Sequence, residues 1–219
     1  MYKNNFAVFD LETGGLIKKN GWIPPITEIA ICAVSSDLEN MEEYGTLIVP
    51  YKDDSEYEAT ALQVSNITLQ MCRDQGKNSE EVIKDLIKLF TKLKANGKKP
   101  VLVGHNIDDF DIPILDNFFT EHKQDLSKYV ETKFTIDTKW WGRMKFPDNS
   151  GYTLGDCLQQ EGIDIVNAHR ALVDTRANKD LFVKWMKCLR GNSSAVTTPT
   201  NQSKFRTGFK FQIKKNESI

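Results

Sequence analysis

The chain contains no apolar run long enough to cross a bilayer, and its N-terminus, MYKNNFAVFD, lacks the basic, apolar and small-residue regions of a signal peptide. An intracellular, cytoplasmic protein with no membrane partner is therefore expected. Cysteine is scarce: Cys32, Cys72, Cys157 and Cys188 lie far apart with no C-x-x-C pair. Their spacing suits neither a zinc site nor a disulfide framework and leaves reduced, mostly structural thiols. No internal repeat recurs at a fixed period. An overall excess of positive charge is also missing, the formal net charge being -1.

What is present fits one globular domain. The 219 residues are 40% hydrophobic and 27% charged, enough to bury a core and too few for a second full domain. Charge is unevenly spread. From residue 190 onward, Arg190, Lys204, Arg206, Lys210, Lys214 and Lys215 face a single acid, Glu217, so the end of the chain is basic and the remainder acidic. The stretch GNSSAVTTPTNQSK, from Gly191, is rich in Ser, Thr, Asn and Pro and has no periodicity. This divides the chain into a domain, residues 1–190, and a flexible basic tail, residues 191–219.

Three strands are predicted first, at NFAVFDLE, ITEIAICAV and EEYGTLIV. SEEVIKDLIKLFTKLKANG then reads as a helix opening at Ser79, carrying Val82, Ile83, Leu86, Leu89, Phe90 and Leu93 at helical spacing, and stopping at Gly97. A buried strand at KPVLVGHN, a helix from about Phe110, a strand at KFTIDT and two helices, TLGDCLQQEG and HRALVDTRANKDLFVKWMKCL, complete the pattern. Sequential strands followed by alternating strands and helices predict an α/β fold, with a mixed sheet built from an antiparallel meander and parallel additions.

Several carboxylates stand where that pattern asks for apolar residues. On the first strand a period of two puts Phe6, Val8, Asp10 and Glu12 on one face. In GHNIDDFDIPIL, Pro113 belongs to a helix's first turn, so the helix begins near Phe110 or Asp111 and leaves Asp108 and Asp109 in the preceding turn. Phe110, Ile114, Leu115 and Phe118 then form the core stripe with Asp111 near its middle. On the last helix, Ala171, Ala177, Leu181, Phe182, Trp185, Cys188 and Leu189 share a face, and Asp174 points into its centre. His169 joins Asp174 only from the loop entering that helix, as a general-base candidate. Converging acids repel one another and raise their own pKa values unless cations bind among them, and all-oxygen ligands select Mg²⁺ or Mn²⁺.

FDLETGG, HNIDDFD and HRALVD resemble, in order and spacing, the three motifs of the DEDDh family of 3′→5′ exonucleases, over residues 6 to about 189. The resemblance implies an RNase H-like fold with a five-stranded sheet and two-metal hydrolysis of phosphodiesters, releasing 5′-mononucleotides. It implies that Asp10 bridges both ions, that Glu12 and Asp174 complete one site, that Asp111 holds the other, and that His169 deprotonates the attacking water. It also places Thr13, Leu16 and Phe110, with Asn106, at the terminal nucleotide. The implied partner is single-stranded nucleic acid or a 3′ end, DNA ahead of RNA. A catalytically silent binding module on the same fold is the competing class; its mark would be a lost acid or histidine, and none of the five positions is substituted.

Two features remain. Of the adjacent Trp140 and Trp141, one is expected in the core and the other could stack on a base. In the tail, FRTGFKFQIKK alternates Phe209, Phe211 and Ile213 with Lys210, Gln212 and Lys214; a disordered solubilising end is the first expectation, and the strand-like alternation also suits a tether for a single strand or a docking segment for a polymerase or other protein.

Overall fold

The computed structural model describes residues 4–164 and 170–191. Three strands, β1 (Phe6–Thr13), β2 (Ile26–Val34) and β3 (Asn40–Leu47), form an antiparallel meander. Helices α1 (Ala59–Ser65), α2 (Leu69–Gln75) and α3 (Ser79–Lys92) follow, then β4 (Val101–Gly104), α4 (Asp111–Glu121), β5 (Glu131–Asp137), α5 (Thr138–Lys145), α6 (Leu154–Glu161) and α7 (Ala171–Leu189). Strand order is β3-β2-β1-β4-β5, with β4 parallel to β1 and β5 parallel to β4. The expected mixed five-stranded sheet is thus present.

The period of two sorts β1 between two cores. Ala7, Phe9 and Leu11 face α3 and α4, joining Val82, Leu86, Phe90, Leu115 and Phe118. Phe6 and Val8 face the other way with Cys32, Val103 and Phe182 of α7, where the Phe6 and Phe182 rings meet edge to face at 5.0 Å. Asp10 and Glu12 continue this second face, so they point toward α7.

Some expected boundaries shift. The long central helix is preceded by Asn78 as its cap, whose N–H donates to the Glu81 carboxylate at 3.3 Å, and it ends at Lys92 rather than Gly97. Ala95 and Lys98 exchange backbone hydrogen bonds around Asn96 and Gly97, both at positive φ, and this left-handed turn cannot continue a helix. The third strand begins two residues early, because a turn over Ser35–Glu39 sets Val34 opposite Asn40. Helices α1, α2 and α5, of seven or eight residues, have no counterpart in the sequence pattern.

At the end of α7, Cys188 and Leu189 are exposed rather than buried. Phe182 already sits over Phe6, the first residue of β1, so a further turn and more of helix, about 10 Å at ~1.5 Å per residue, runs past the sheet. The tryptophan pair divides as expected, Trp141 packing between Phe182 and Trp185 while Trp140 stays 51% exposed. Cys32, Cys72 and Cys157 are buried free thiols. The proposed tail, apart from Gly191, lies outside the described residues.

Candidate active site

Strand β1 is longer than its parallel neighbour. Its pairing with β4 stops at Val8 opposite Val103, whereas its pairing with β2 continues to Thr13. Beyond Val8 the β4 side of β1 is uncovered, and the Leu11 N–H, left without a strand partner, donates to Asp111 Oδ1 at 3.1 Å. β4 ends at Gly104, where an added Cβ would lie 1.9 Å from Ile107 Cγ2, and Asn106 follows in the left-handed region at φ 68°. The chain thereby turns back sharply enough to start α4 in the notch beside β1. Asp111, first residue of α4, is only 4% exposed.

The α7 side of the notch carries the other acids. One carboxylate oxygen from each of Asp10, Glu12 and Asp174 lies within 4.8 Å of the others. Asp111 is not part of that group; it approaches Asp10 from the α4 side, near enough that its charge opposes ionisation of Asp10. Burial, then Asp111, Glu12, Asp174 and Glu28, push the Asp10 pKa well up. Burial, with Asp174 and Glu28, raises Glu12 to about 7 against the lowering effect of Arg170. Asp111 is also raised, mainly by burial and partly offset by the Leu11 N–H. Buried, mutually repelling oxygen donors are the donor set that a hard divalent cation stabilises, and the residues fit such an ion.

The structure adds two residues to which the sequence reading gave no role, Glu28 outside the motifs and Arg170 inside HRALVD. Glu28 stands directly opposite Glu12 in the β1–β2 pair, an unfavourable juxtaposition of like charges. Arg170 resolves it: Nε and Nη2 donate to the two Glu28 oxygens at 3.1 and 2.8 Å, and the Ala171 N–H donates to Glu28 Oε2 at 3.1 Å. Glu28, 6% exposed, therefore fixes the start of α7, one turn before Asp174. A signal existed in the sequence, since Glu28 interrupts the otherwise apolar run ITEIAICAV as Asp111 interrupts its helix stripe.

The remaining expected residues divide. Asp108 and Asp109 are exposed in the turn before α4, with Asp108 accepting the Thr135 hydroxyl at 2.6 Å. Thr13 is buried and its hydroxyl donates to the Gly15 carbonyl at 2.7 Å, while Leu16 is 69% exposed just beyond. Phe110 precedes α4 half-buried against the core. The Asn106 N–H donates to Asp137 Oδ1 at 2.9 Å and its Oδ1 accepts from Lys139 Nζ at 2.8 Å. His169 lies outside the described residues.

A family model described as Exonuclease matches residues 7–182. The DNA polymerase III PolC-type protein of Pediococcus pentosaceus is 27% identical over 183 residues, which is 83% of this chain and 11% of that protein. The 3′-5′ exonuclease DinG of Staphylococcus aureus is 32% identical over 88 residues, 40% of this chain and 9% of its own length. The chain thus spans about a tenth of the length of these relatives. Among solved structures, E. coli Exonuclease I in complex with a dT13 oligonucleotide superposes with a TM-score of 0.70 at 21% identity, covering 86% of this chain and 43% of that one. At that identity the likeness is one of fold.

Proposed function

Because the chain belongs to the exonuclease family, we propose that it hydrolyses phosphodiester bonds from the 3′ end of single-stranded nucleic acid, DNA ahead of RNA, releasing 5′-mononucleotides. The observation that carries this reading is the convergence of Asp10, Glu12 and Asp174 within 4.8 Å, with Asp111 in the adjoining notch. These positions come from three distant segments of the chain. Family exonucleases depend on divalent metal ions; Mg²⁺ or Mn²⁺ is proposed here, held by Asp10, Glu12, Asp111 and Asp174. Two such ions would supply charge stabilisation at the attacked phosphate and at the departing 3′ oxygen.

The protein's own groups do the rest. Asp111, fixed by the Leu11 N–H, and Asp174, fixed through Glu28 at the start of α7, set the spacing of the site from opposite faces of the sheet. His169, one residue before Arg170 in the chain, takes the role that its motif implies, accepting the proton of the attacking water. Thr13, Leu16, Asn106 and Phe110 are proposed to bound the terminal nucleotide, with Leu16 the exposed apolar surface against which a base could rest. Preference for DNA is supported by the names of the relatives, a DNA polymerase and an exonuclease crystallised with dT13. Residues 1–190 are taken as the catalytic unit. No helix among the described residues is long and apolar enough to cross a membrane.

A gel time course with 5′-labelled single-stranded DNA and RNA of equal sequence, in Mg²⁺ and in Mn²⁺, tests the proposal. A ladder shortening from the 3′ end, faster on DNA, is expected. Binding without shortening under either ion would make the chain a silent module; internal cuts would make it an endonuclease.

A further inference from the structure

The strands β1, β4 and β5 run parallel, so the loops that follow them emerge at one edge of the sheet, beside the acids. After β5 the chain enters α5 at once, with Asp137 Oδ1 accepting both the Asn106 and the Lys139 N–H groups at 2.9 Å. That one carboxylate ties the turn before α4 to the start of α5. The α5 side of this junction opens into a cavity of about 490 Å³, lined by His105, Asn106, Lys139, Arg143 and the 150–154 loop.

The wall of this cavity is rigidly built. His105 is half-buried, with Nε2 2.9 Å from the Tyr152 carbonyl oxygen and Nδ1 3.0 Å from the Thr138 hydroxyl. A carbonyl can only accept, so Nε2 carries the proton and the ring pins the 150–154 loop to the end of β4. Lys139 and Arg143 are one helical turn apart on the same face of α5. The Lys139 ammonium donates to the Asn106 side-chain oxygen at 2.8 Å, a contact that orients it without cancelling its charge. The exposed Arg143 guanidinium lies 4.6 Å above the Trp140 ring and 5.8 Å from that of Tyr152. No carboxylate lines the cavity among the described residues; Asp137 accepts as described, and Asp156 accepts the Thr153 N–H at 2.8 Å.

The body of the chain is acidic, which makes a cationic and aromatic patch at this edge conspicuous: phosphates and bases are what it could hold. Building on the exonuclease reading, we infer that this α5 groove is a subsite for the substrate strand upstream of the scissile bond, with Lys139 and Arg143 contacting successive phosphates and Trp140 stacking on a base. One turn of helix spans about 6 Å at ~1.5 Å per residue, a step suited to neighbouring phosphates of an extended strand. Asn106, shared between the groove and the turn before Asp111, connects the subsite to the metal-binding notch.

The test uses the full chain carrying Asp111→Asn, so that the strand stays uncut, and measures anisotropy of 5′-labelled dT12 across a salt series. Because each phosphate neutralised on a single strand contributes about -0.7 to the slope of log affinity against log salt, Arg143→Gln and Lys139→Gln should each weaken binding and flatten that slope by about 0.7. Trp140→Ala should weaken binding by about fivefold or more at every salt concentration and leave the slope alone. Lys92→Gln, remote on α3 and paired with Glu42, should match the parent. In the active chain, the preference in kcat/KM for dT12 over a dinucleotide should shrink in the three groove variants. Groove variants that bind dT12 with the parent's affinity and slope would overturn the subsite; Arg143 and Trp140 are exposed, so their variants are read without a folding penalty. Failure of the parent to shorten dT12 in Mg²⁺ or Mn²⁺ would instead sink the exonuclease reading, with the slopes still measurable.

Discussion

Helices α4 and α7 both bring an aspartate to the site within their first turn, yet they hold it differently. Asp111 is the first residue of α4 and is gripped directly, by a backbone N–H that β1 exposes where β4 stops short. The helix that carries Asp174 has a side-chain anchor as well: the start of α7 is tied down by Glu28 through Arg170 and the Ala171 N–H. Direct holding uses a backbone group that no substitution at Leu11 can delete except proline. The anchor of α7 rests on two side chains, Glu28 and Arg170, and is open to mutation. Positions supporting the start of α7 should therefore be separable from Asp174 itself, whereas the backbone support of Asp111 should not.

The largest effects come from the acids. Asp111→Asn or Asp174→Asn should each remove transition-state stabilisation of several kcal/mol, a loss of about 10³-fold or more in metal-dependent trimming. Asp108→Asn and Asp109→Asn, one turn away and exposed, should retain most of it. Initial rates on labelled DNA decide this, and a fully active Asp111→Asn chain would show that the carboxylate held by the Leu11 N–H takes no part in the chemistry.

Next come the supports of Asp174. Substituting groups that orient metal ligands typically costs about 10–100-fold, so Glu28→Gln and Arg170→Gln should each fall in that range. Both should also require more Mg²⁺ to reach half-maximal rate. Their double variant should lose little beyond either single one, because the two act as one clamp. Independent, additive losses in a double-mutant cycle would mean that Glu28 and Arg170 act separately.

A smaller effect concerns the metal-free protein. Glu12 is raised from 4.5 to about 7 on folding, and Asp10 and Asp111 are raised in the same direction. A raised carboxyl favours the folded state while protonated, so this stability is fully present below about pH 4 and lost as pH climbs through about 7. Without divalent ions the melting temperature should therefore decline across that window, beyond any trend in a chain carrying Asp10→Asn. Millimolar Mg²⁺ should restore it at pH 8 by binding only the folded chain. Melting curves in chelator and in Mg²⁺ measure both, and equal curves at pH 8 would count against the ion site.

Much of this was legible because misplaced charge is a local signal. Asp111 and Asp174 interrupt apolar stripes of period 3.6, and the bounds of β1 and β2 follow from alternation and flanking turn residues. Glu28 was equally misplaced, but it lies in no recognised motif and its partner Arg170 is 142 residues away, so spacing alone cannot pair them. The helices α1, α2 and α5 are too short to show a period. Asp137 ends one element and caps the next, so KFTIDT reads as a strand with nothing to announce α5, and with it the Lys139–Arg143 face stayed hidden. Strand and helix content is local; the notch depends on β4 ending before β1 does, which only the assembled sheet reveals.

The smallest expected effect lies at the far end of α7. Its 19 residues span about 28 Å at ~1.5 Å per residue, and its first turn is anchored by Glu28, so events beyond Gly191 should not reach Asp174 mechanically. Residues 192–219 carry Lys204, Arg206, Lys210, Lys214 and Lys215 against Glu217 alone. We propose that they neutralise further phosphates without touching the chemistry. Their deletion should leave trimming of a short oligonucleotide at saturation nearly intact while weakening binding of a long strand and flattening its salt slope, by about 0.7 for each phosphate the tail neutralises. If the groove on α5 is where the strand begins and the tail neutralises other phosphates, the flattening from the deletion and from Arg143→Gln should add. A truncated chain with the parent's affinity and slope would assign the tail to a protein partner, and a slower rate on the short oligonucleotide would show that α7 is held less firmly at its start than the Glu28 hydrogen bonds indicate.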